Sequence, residues 1–168
     1  MSRWITMKAF SDKNSPTQPT GDARIKKPIL RRGASGLAVI ELQKLLMHWE
    51  VLSTSPDGLF DKKVEAAVKA FQHRVFLKED GIVESLTWQA LYTGVPINMP
   101  ILQRDSQGEA VITLQTVLQG ISFFRGEING KFGLDTDASV RAFQKRYGLV
   151  PDGIVGAYTW LALSKVPH

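Results

Sequence analysis

Leu149–Leu163 reads LVPDGIVGAYTWLAL, and a second version of the same string stands at Leu77–Leu91 as LKEDGIVESLTWQAL. Both carry an Asp-Gly turn, an Ile-Val pair and a Thr-Trp step. The two are 72 residues apart, and the offset extends well beyond them. With no gap, 27 of the 63 positions from Ile29 to Leu91 match their partners from Ile101 to Leu163. Gly36, Val39, Leu42, Gln43 and Leu46 fall on Gly108, Val111, Leu114, Gln115 and Leu118. Ala70-Phe71-Gln72 falls on Ala142-Phe143-Gln144. Self-similarity at a fixed period marks a tandem duplication, and it decides the architecture before any single residue does.

Each repeat reads as three helices. Val39, Leu42, Leu45, Leu46 and Trp49 recur at helical spacing, as do Val111, Leu114, Val117, Leu118 and Ile121. The second helix carries Val64, Ala67, Val68, Phe71 and Val75, or Val140, Phe143 and Tyr147 in the later copy. Asp57-Gly58 and Asn129-Gly130 precede it, and such dipeptides favour a sharp turn. The third helix is short, Ser85 to Tyr92 and Ala157 to Leu163. Helices of this length are marginal alone and must bury their faces on one another. The expected fold is therefore all-α, two tandem three-helix repeats. Residues 1–27 read as a flexible tail, polar with Pro16, Pro19 and Gly21 and basic at its end. Repeat 1 is expected over 28–95 and repeat 2 over 96–168.

The bulk chemistry narrows the function. The chain has 168 residues, 43% hydrophobic and 22% charged, as in ordinary globular proteins. The formal net charge of +5 favours an anionic partner such as nucleic acid, a membrane surface or an acidic wall polymer. With no cysteine, disulfides, Cys-ligated zinc and thiol nucleophiles are excluded. No apolar run reaches the roughly 20 residues that span a bilayer. The opening MSRWITMKAF has no continuous apolar core and does not read as a secretory signal. His48, His73 and His168 have no metal-binding spacing, and no P-loop, nucleophile elbow or dinucleotide fingerprint appears. Aspartates beside glycines are turn residues by default. The expectation is a protein that is not an enzyme and needs no cofactor or metal.

The spaced residues resemble the peptidoglycan-binding domain type 1 family, a three-helix wall-targeting module. The resemblance rests on Leu102-Gln103-Arg104, Gly108, Leu114-Gln115, Asn129-Gly130-Lys131-Phe132-Gly133, Thr136, Val140 through Gln144, and Asp152 through Gly156 with Thr159-Trp160. The first repeat carries it on Leu30 through Gly33, Leu42-Gln43, Asp57 through Phe60, Ala70 through Gln72, Asp80-Gly81 and Thr87-Trp88. It departs at Asp61 and Val64, where the second repeat keeps Gly133 and Thr136, and at Glu84, where the second keeps Gly156. If those glycines needed a positive dihedral, the first repeat would lose about 1 kcal/mol at each. On that reading repeat 2 is the better binder and repeat 1 the divergent copy.

The resemblance implies non-catalytic binding of peptidoglycan, glycan or stem peptide, in a shallow groove, and targeting to the bacterial cell envelope. Such a ligand offers amides, hydroxyls and carboxylates, so hydrogen-bonding and cationic side chains are the candidates. In repeat 2 these are Arg104, Gln115, Asn129, Thr136, Gln144, Asp152 and Thr159. The secondary set is Arg32, Gln43, Asp57, Gln72, Asp80 and Thr87. Trp88, Trp160, Phe132 and Phe143 read as core, because they sit among apolar neighbours at helical spacing. A cell-wall hydrolase or another wall-associated protein is the implied protein partner. An interaction scaffold that keeps the fold without binding the wall is the competing reading. A nucleic-acid role is disfavoured, since no helix offers a base-reading face.

Overall fold

Each repeat opens on an extended segment that is stitched into the body behind it. In the computed structural model, which describes residues 26–168, Leu30 pairs antiparallel with Val83 through hydrogen bonds of 3.1 and 2.8 Å. Leu102 pairs with Val155 in the same way at 3.0 and 2.8 Å. The bridges Ser35–Leu59 and Gln107–Lys131 repeat the offset. Three helices follow in the first repeat, α1 (Leu37–His48), α2 (Lys62–Arg74) and α3 (Ser85–Thr93). Three more make the second, α4 (Glu109–Gly120), α5 (Leu134–Arg146) and α6 (Ala157–Lys165). Among the described residues the helices are the only extended regular elements, so the class is all-α with two tandem repeats.

The chain divides into two compact units between Ile97 and Asn98. In the first unit α1 packs on α2 and α3 around Leu42, Leu46, Val68, Phe71 and Trp88. Ile97 packs against that same core. In the second, α4 packs on α5, with Leu114, Leu118, Phe132, Phe143 and Trp160 fully buried. Burying a side chain of this size contributes roughly 1.5–3 kcal/mol, which is what closes such short helices into a fold. Both third-helix tryptophans are core, as their spacing predicts. Each also uses its indole N–H: Trp88 donates to the Pro28 carbonyl at 2.9 Å and Trp160 to the Pro100 carbonyl at 2.8 Å. The paired prolines of the sequence thus mark where the extended segment is fastened to the third helix.

Residues 1–25 lie outside the described residues, so the expected tail of 1–27 is seen only at Lys26 and Lys27. Lys27 is held. Its ammonium lies 2.7 Å from the Glu41 carboxylate and over the rings of Trp88 and Tyr92. The Tyr92 hydroxyl donates to the other Glu41 oxygen.

Contrary to the expectation from sequence, neither Gly133 nor Gly156 has a positive dihedral. Gly133 has φ −91° and Gly156 φ −112°, while Asp61 and Glu84 stand in their places at −93° and −103°. All four are extended residues at the N-caps of helices, where a side chain carries no penalty. The dihedral ground for ranking repeat 1 below repeat 2 is gone. Asp61 is in fact the stronger cap, because its carboxylate accepts the Val64 N–H at 2.9 Å. Asp61→Ala should cost about 1 kcal/mol, and Asp61→Gly only a few tenths. Urea unfolding of the two variants side by side checks this. Equal losses would mean that the cap contributes nothing.

Candidate functional site

Four buried glutamines organise the loops. Gln115 on α4 reaches the turn ahead of α5. Its amide donates to the Asn129 side chain at 3.3 Å, the Lys131 carbonyl at 3.0 Å and the Thr136 hydroxyl at 3.0 Å. Its carbonyl accepts the N–H groups of Asn129 and Gly130 at 3.1 and 3.0 Å. Gln144 on α5 does the same for the turn ahead of α6. It donates to Asp152 at 3.2 Å, the Ile154 carbonyl at 2.9 Å and Thr159 at 3.2 Å, and accepts the Gly153 N–H at 2.9 Å. In repeat 1, Gln72 holds Asp80, Ile82, Thr87 and Gly81, and Gln43 holds Asp57, Leu59 and Gly58. Val64 stands where Thr136 does, so Gln43 lacks the hydroxyl partner.

The turns share one construction. The Asp or Asn side chain bonds the N–H two residues on, and the glycine between them takes φ near +70°. A threonine follows seven residues after the Asp or Asn in three of the four copies, Thr87, Thr136 and Thr159. Each repeat is therefore itself two turn-helix units, each pinned by a glutamine from the preceding helix. The sequence holds this signal in the paired glutamines and the seven-residue spacing, but the 72-residue period hides it.

The candidate residues separate by burial. Gln43, Gln72, Thr87, Gln115, Thr136, Gln144 and Thr159 are all buried and spend their polar atoms inside the fold. They position loops. Arg32, Asp57, Arg104 and Asn129 are exposed, and Asp80 and Asp152 are half-buried. Gln115, Asn129 and Thr136 come together at one open depression of about 250 Å³, which also takes in Phe124, Glu127, Lys131, Leu134 and Asp135. Neither Lys131 nor Leu134 is among the site candidates read from the sequence, Leu134 because an apolar helix residue reads as core. It is 67% exposed. Gln144, Asp152 and Thr159 gather at the other turn, and Arg104 lines neither. Asp152 Oδ2 is buried with no partner among the described residues, whereas the matching Asp80 Oδ2 has the Lys78 ammonium at 4.0 Å. Val150 replaces that lysine.

Hydrogen bonding holds turn carboxyls of repeat 1 in the charged form. The Gln43 amide, then the Leu59 N–H, lowers the Asp57 carboxyl below its ordinary value of 3.8. The Ile82 N–H, then the Gln72 amide, lowers that of Asp80. A depressed folded-state value means the stabilisation is present above the unfolded value and lost as pH falls through the folded one. The urea midpoint should therefore hold steady down to about pH 4 and drop below it. Asp57→Asn should flatten part of that drop, and an unchanged acid slope would overturn the assignment.

Among the described residues no cluster of acidic or histidine side chains could hold a metal, and no helix is long and apolar enough to cross a membrane. What fold and turns define is a pair of small helical modules whose loops are fastened by buried glutamines. The putative peptidoglycan binding domain family matches at residues 35–91 and again at 107–163, and the chain belongs to that family.

Relatives share the module within longer proteins. N-acetylmuramoyl-L-alanine amidase CwlM of Mycobacterium tuberculosis is 33% identical over 164 residues, covering 89% of this chain and 39% of the amidase. The spore cortex-lytic enzyme of Bacillus cereus is 42% identical over 65 residues, 39% of this chain and 25% of that enzyme. This chain thus spans about two-fifths or less of either. Among solved structures, the SleB N-terminal domain is 40% identical with a TM-score of 0.40, over 40% of this chain and 93% of that one.

Proposed function

We propose that this chain binds bacterial peptidoglycan without cleaving it and so anchors or targets to the cell envelope. The observation that carries the reading is the depression on the second repeat. An exposed leucine, a lysine, an amide and the carboxylates of Glu127 and Asp135 line it, and its loop is fixed from below by Gln115. A stem peptide on a glycan presents an apolar methyl, amides and terminal carboxylates. Leu134 meets the first by contact, Asn129 the second by hydrogen bonds, and Lys131 the third by charge. Arg104 and Asp152 are further contact candidates. Gln115, Thr136, Gln144 and Thr159 act beneath the surface by holding loop amides in place. In repeat 1 the exposed Arg32 and Asp57 and the half-buried Asp80 play the contacting part, over Gln43, Gln72 and Thr87. The relatives' names, an amidase and a spore cortex-lytic enzyme, support a wall location and a hydrolase as partner.

The test is retention on purified sacculi at low and raised salt. Binding should persist at about 0.5 M salt if a groove rather than bare charge is responsible. Lys131→Ala with Leu134→Ser should weaken retention about tenfold, the loss of roughly 1.4 kcal/mol, while the melting temperature stays unchanged. Prolonged incubation should release no soluble muropeptides. No retention at any salt would remove the wall reading and leave an interaction scaffold.

A further inference from the structure

The two repeats keep the same apolar floor at one place and reverse the charge around it. In repeat 1 an open depression of about 730 Å³ lies over Phe60 and Ala66, with Arg32, Lys62 and Lys63 on its rim. The side chain of Arg32 is 62% exposed, and its ion pair with Glu65 is long at 3.9 Å. Lys62 and Lys63 are exposed and form no ion pair among the described residues. The one carboxylate lining the depression, Asp61, is engaged by the Val64 N–H. Repeat 2 retains Arg104, Phe132 and Ala138 at the matching positions. It has Asp105 for Gly33, Leu134 for Lys62 and Asp135 for Lys63. The formal rim charge is thus +2 in repeat 1 (Arg32, Lys62 and Lys63 against Asp61) and −1 in repeat 2 (Arg104 against Asp105 and Asp135).

We propose that the repeat 1 depression is a second binding site, for an anionic saccharide polymer. The ligand class follows from the two halves of the surface. Ala66 and the lysine stems, above the buried ring of Phe60, give an apolar bed on which the carbon face of a sugar can rest. Three cations around it attract charge repeated along a chain, and a guanidinium adds a fork suited to phosphate or carboxylate oxygens. A neutral glycan has no use for the lysines, and a small free anion has none for the apolar bed. Duplication supplied two copies of one surface. The reversed charge separates them: the repeat 1 depression adds an acidic polymer to the peptidoglycan contacts of the proposed function, and the matching surface of repeat 2 does not.

Two saccharide polymers separate the anion sources: a phosphomannan for phosphate and polygalacturonate for carboxylate, with dextran as the neutral control. The full chain should bind one or both acidic polymers and not dextran. That binding should weaken at least tenfold between about 50 and 200 mM salt. Lys62→Leu with Lys63→Asp, which gives repeat 1 the residues of repeat 2, should abolish it while sacculus retention stays within about twofold. Arg32→Gln is a second variant, away from the helix, and should weaken it several-fold. Leu134→Lys with Asp135→Lys should add acidic-polymer binding to repeat 2. Failure of the unaltered chain to bind either acidic polymer overturns the proposal, as does undiminished binding by the folded Lys62/Lys63 variant. Sacculus retention is read separately, so the loss of one site leaves the other legible.

Discussion

Gln144→Ala should lower the unfolding free energy of the second repeat by about 3 kcal/mol, although it removes neither a charge nor an apolar side chain. The side chain is 1% exposed and makes four hydrogen bonds to four residues. Alanine leaves the buried Gly153 N–H without its acceptor and strips a donor from the Ile154 carbonyl and the Thr159 hydroxyl. A buried group left unsatisfied costs about 1–3 kcal/mol. The hydroxyl can turn and a water can enter the polar space, which holds the total near the lower part of the sum. Gln144→Glu should be worse at neutral pH. It keeps an acceptor for Gly153 but points a carboxylate at Asp152 Oδ1 and the Ile154 carbonyl. Burial and the neighbouring Asp152 raise the folded-state value of that new carboxyl, so the penalty is full above the folded value, shrinks as pH falls through it, and vanishes below the unfolded value. Urea midpoints of both variants between pH 7 and pH 4 check the pattern. A loss under about 1 kcal/mol for the alanine variant would mean that the loop is held by its own turn alone.

The role of these glutamines explains how much of the molecule could be read in advance. Helices and turns are written locally, so their positions followed from the apolar spacing and the Asp-Gly and Asn-Gly dipeptides. The duplication, the core tryptophans and the family resemblance were equally legible. The burial of the candidate residues was harder to read, because a glutamine at the edge of an apolar helical face looks like a surface residue. Gln115 follows Leu114 and precedes Leu118 by less than one turn, yet it lies wholly inside. Its partners are 14 to 21 residues away, a distance at which no local propensity operates. The glycines failed for the opposite reason. Gly133 and Gly156 sit beside turns that do need positive φ, but the positive dihedral belongs to Gly130 and Gly153, three residues earlier. Side-chain partnership between elements, not element type, is what the sequence left open.

Gly94→Ala should destabilise the first repeat by about 3 kcal/mol, combining a backbone cost near 1 kcal/mol with 1–3 kcal/mol of overpacking. Gly94 ends α3 at φ +71°, and its N–H closes on the Ala90 carbonyl at 2.7 Å. A Cβ there would lie 2.1 Å from Cη2 of Trp49 and 2.7 Å from Cζ2. The ring cannot easily yield. Its N–H donates to the Leu91 carbonyl at 2.7 Å, the Arg74 guanidinium stands over it at 5.7 Å, and Phe71 lies beside it. The second repeat shows the alternative solution. It has Ile121 for Trp49 and Val166 for Gly94, a smaller residue in place of the ring and a larger one in place of the glycine, and its third helix ends extended at φ −85°. The strain should therefore be relieved by shrinking the tryptophan. Trp49→Ile alone loses the indole hydrogen bond and packing. Combined with Gly94→Ala, it should cost less than the sum of the two single losses by at least about 1 kcal/mol, the size expected for residues in contact. Urea unfolding of the four-protein cycle measures this coupling, and additive losses would show that the ring does not hold the end of α3.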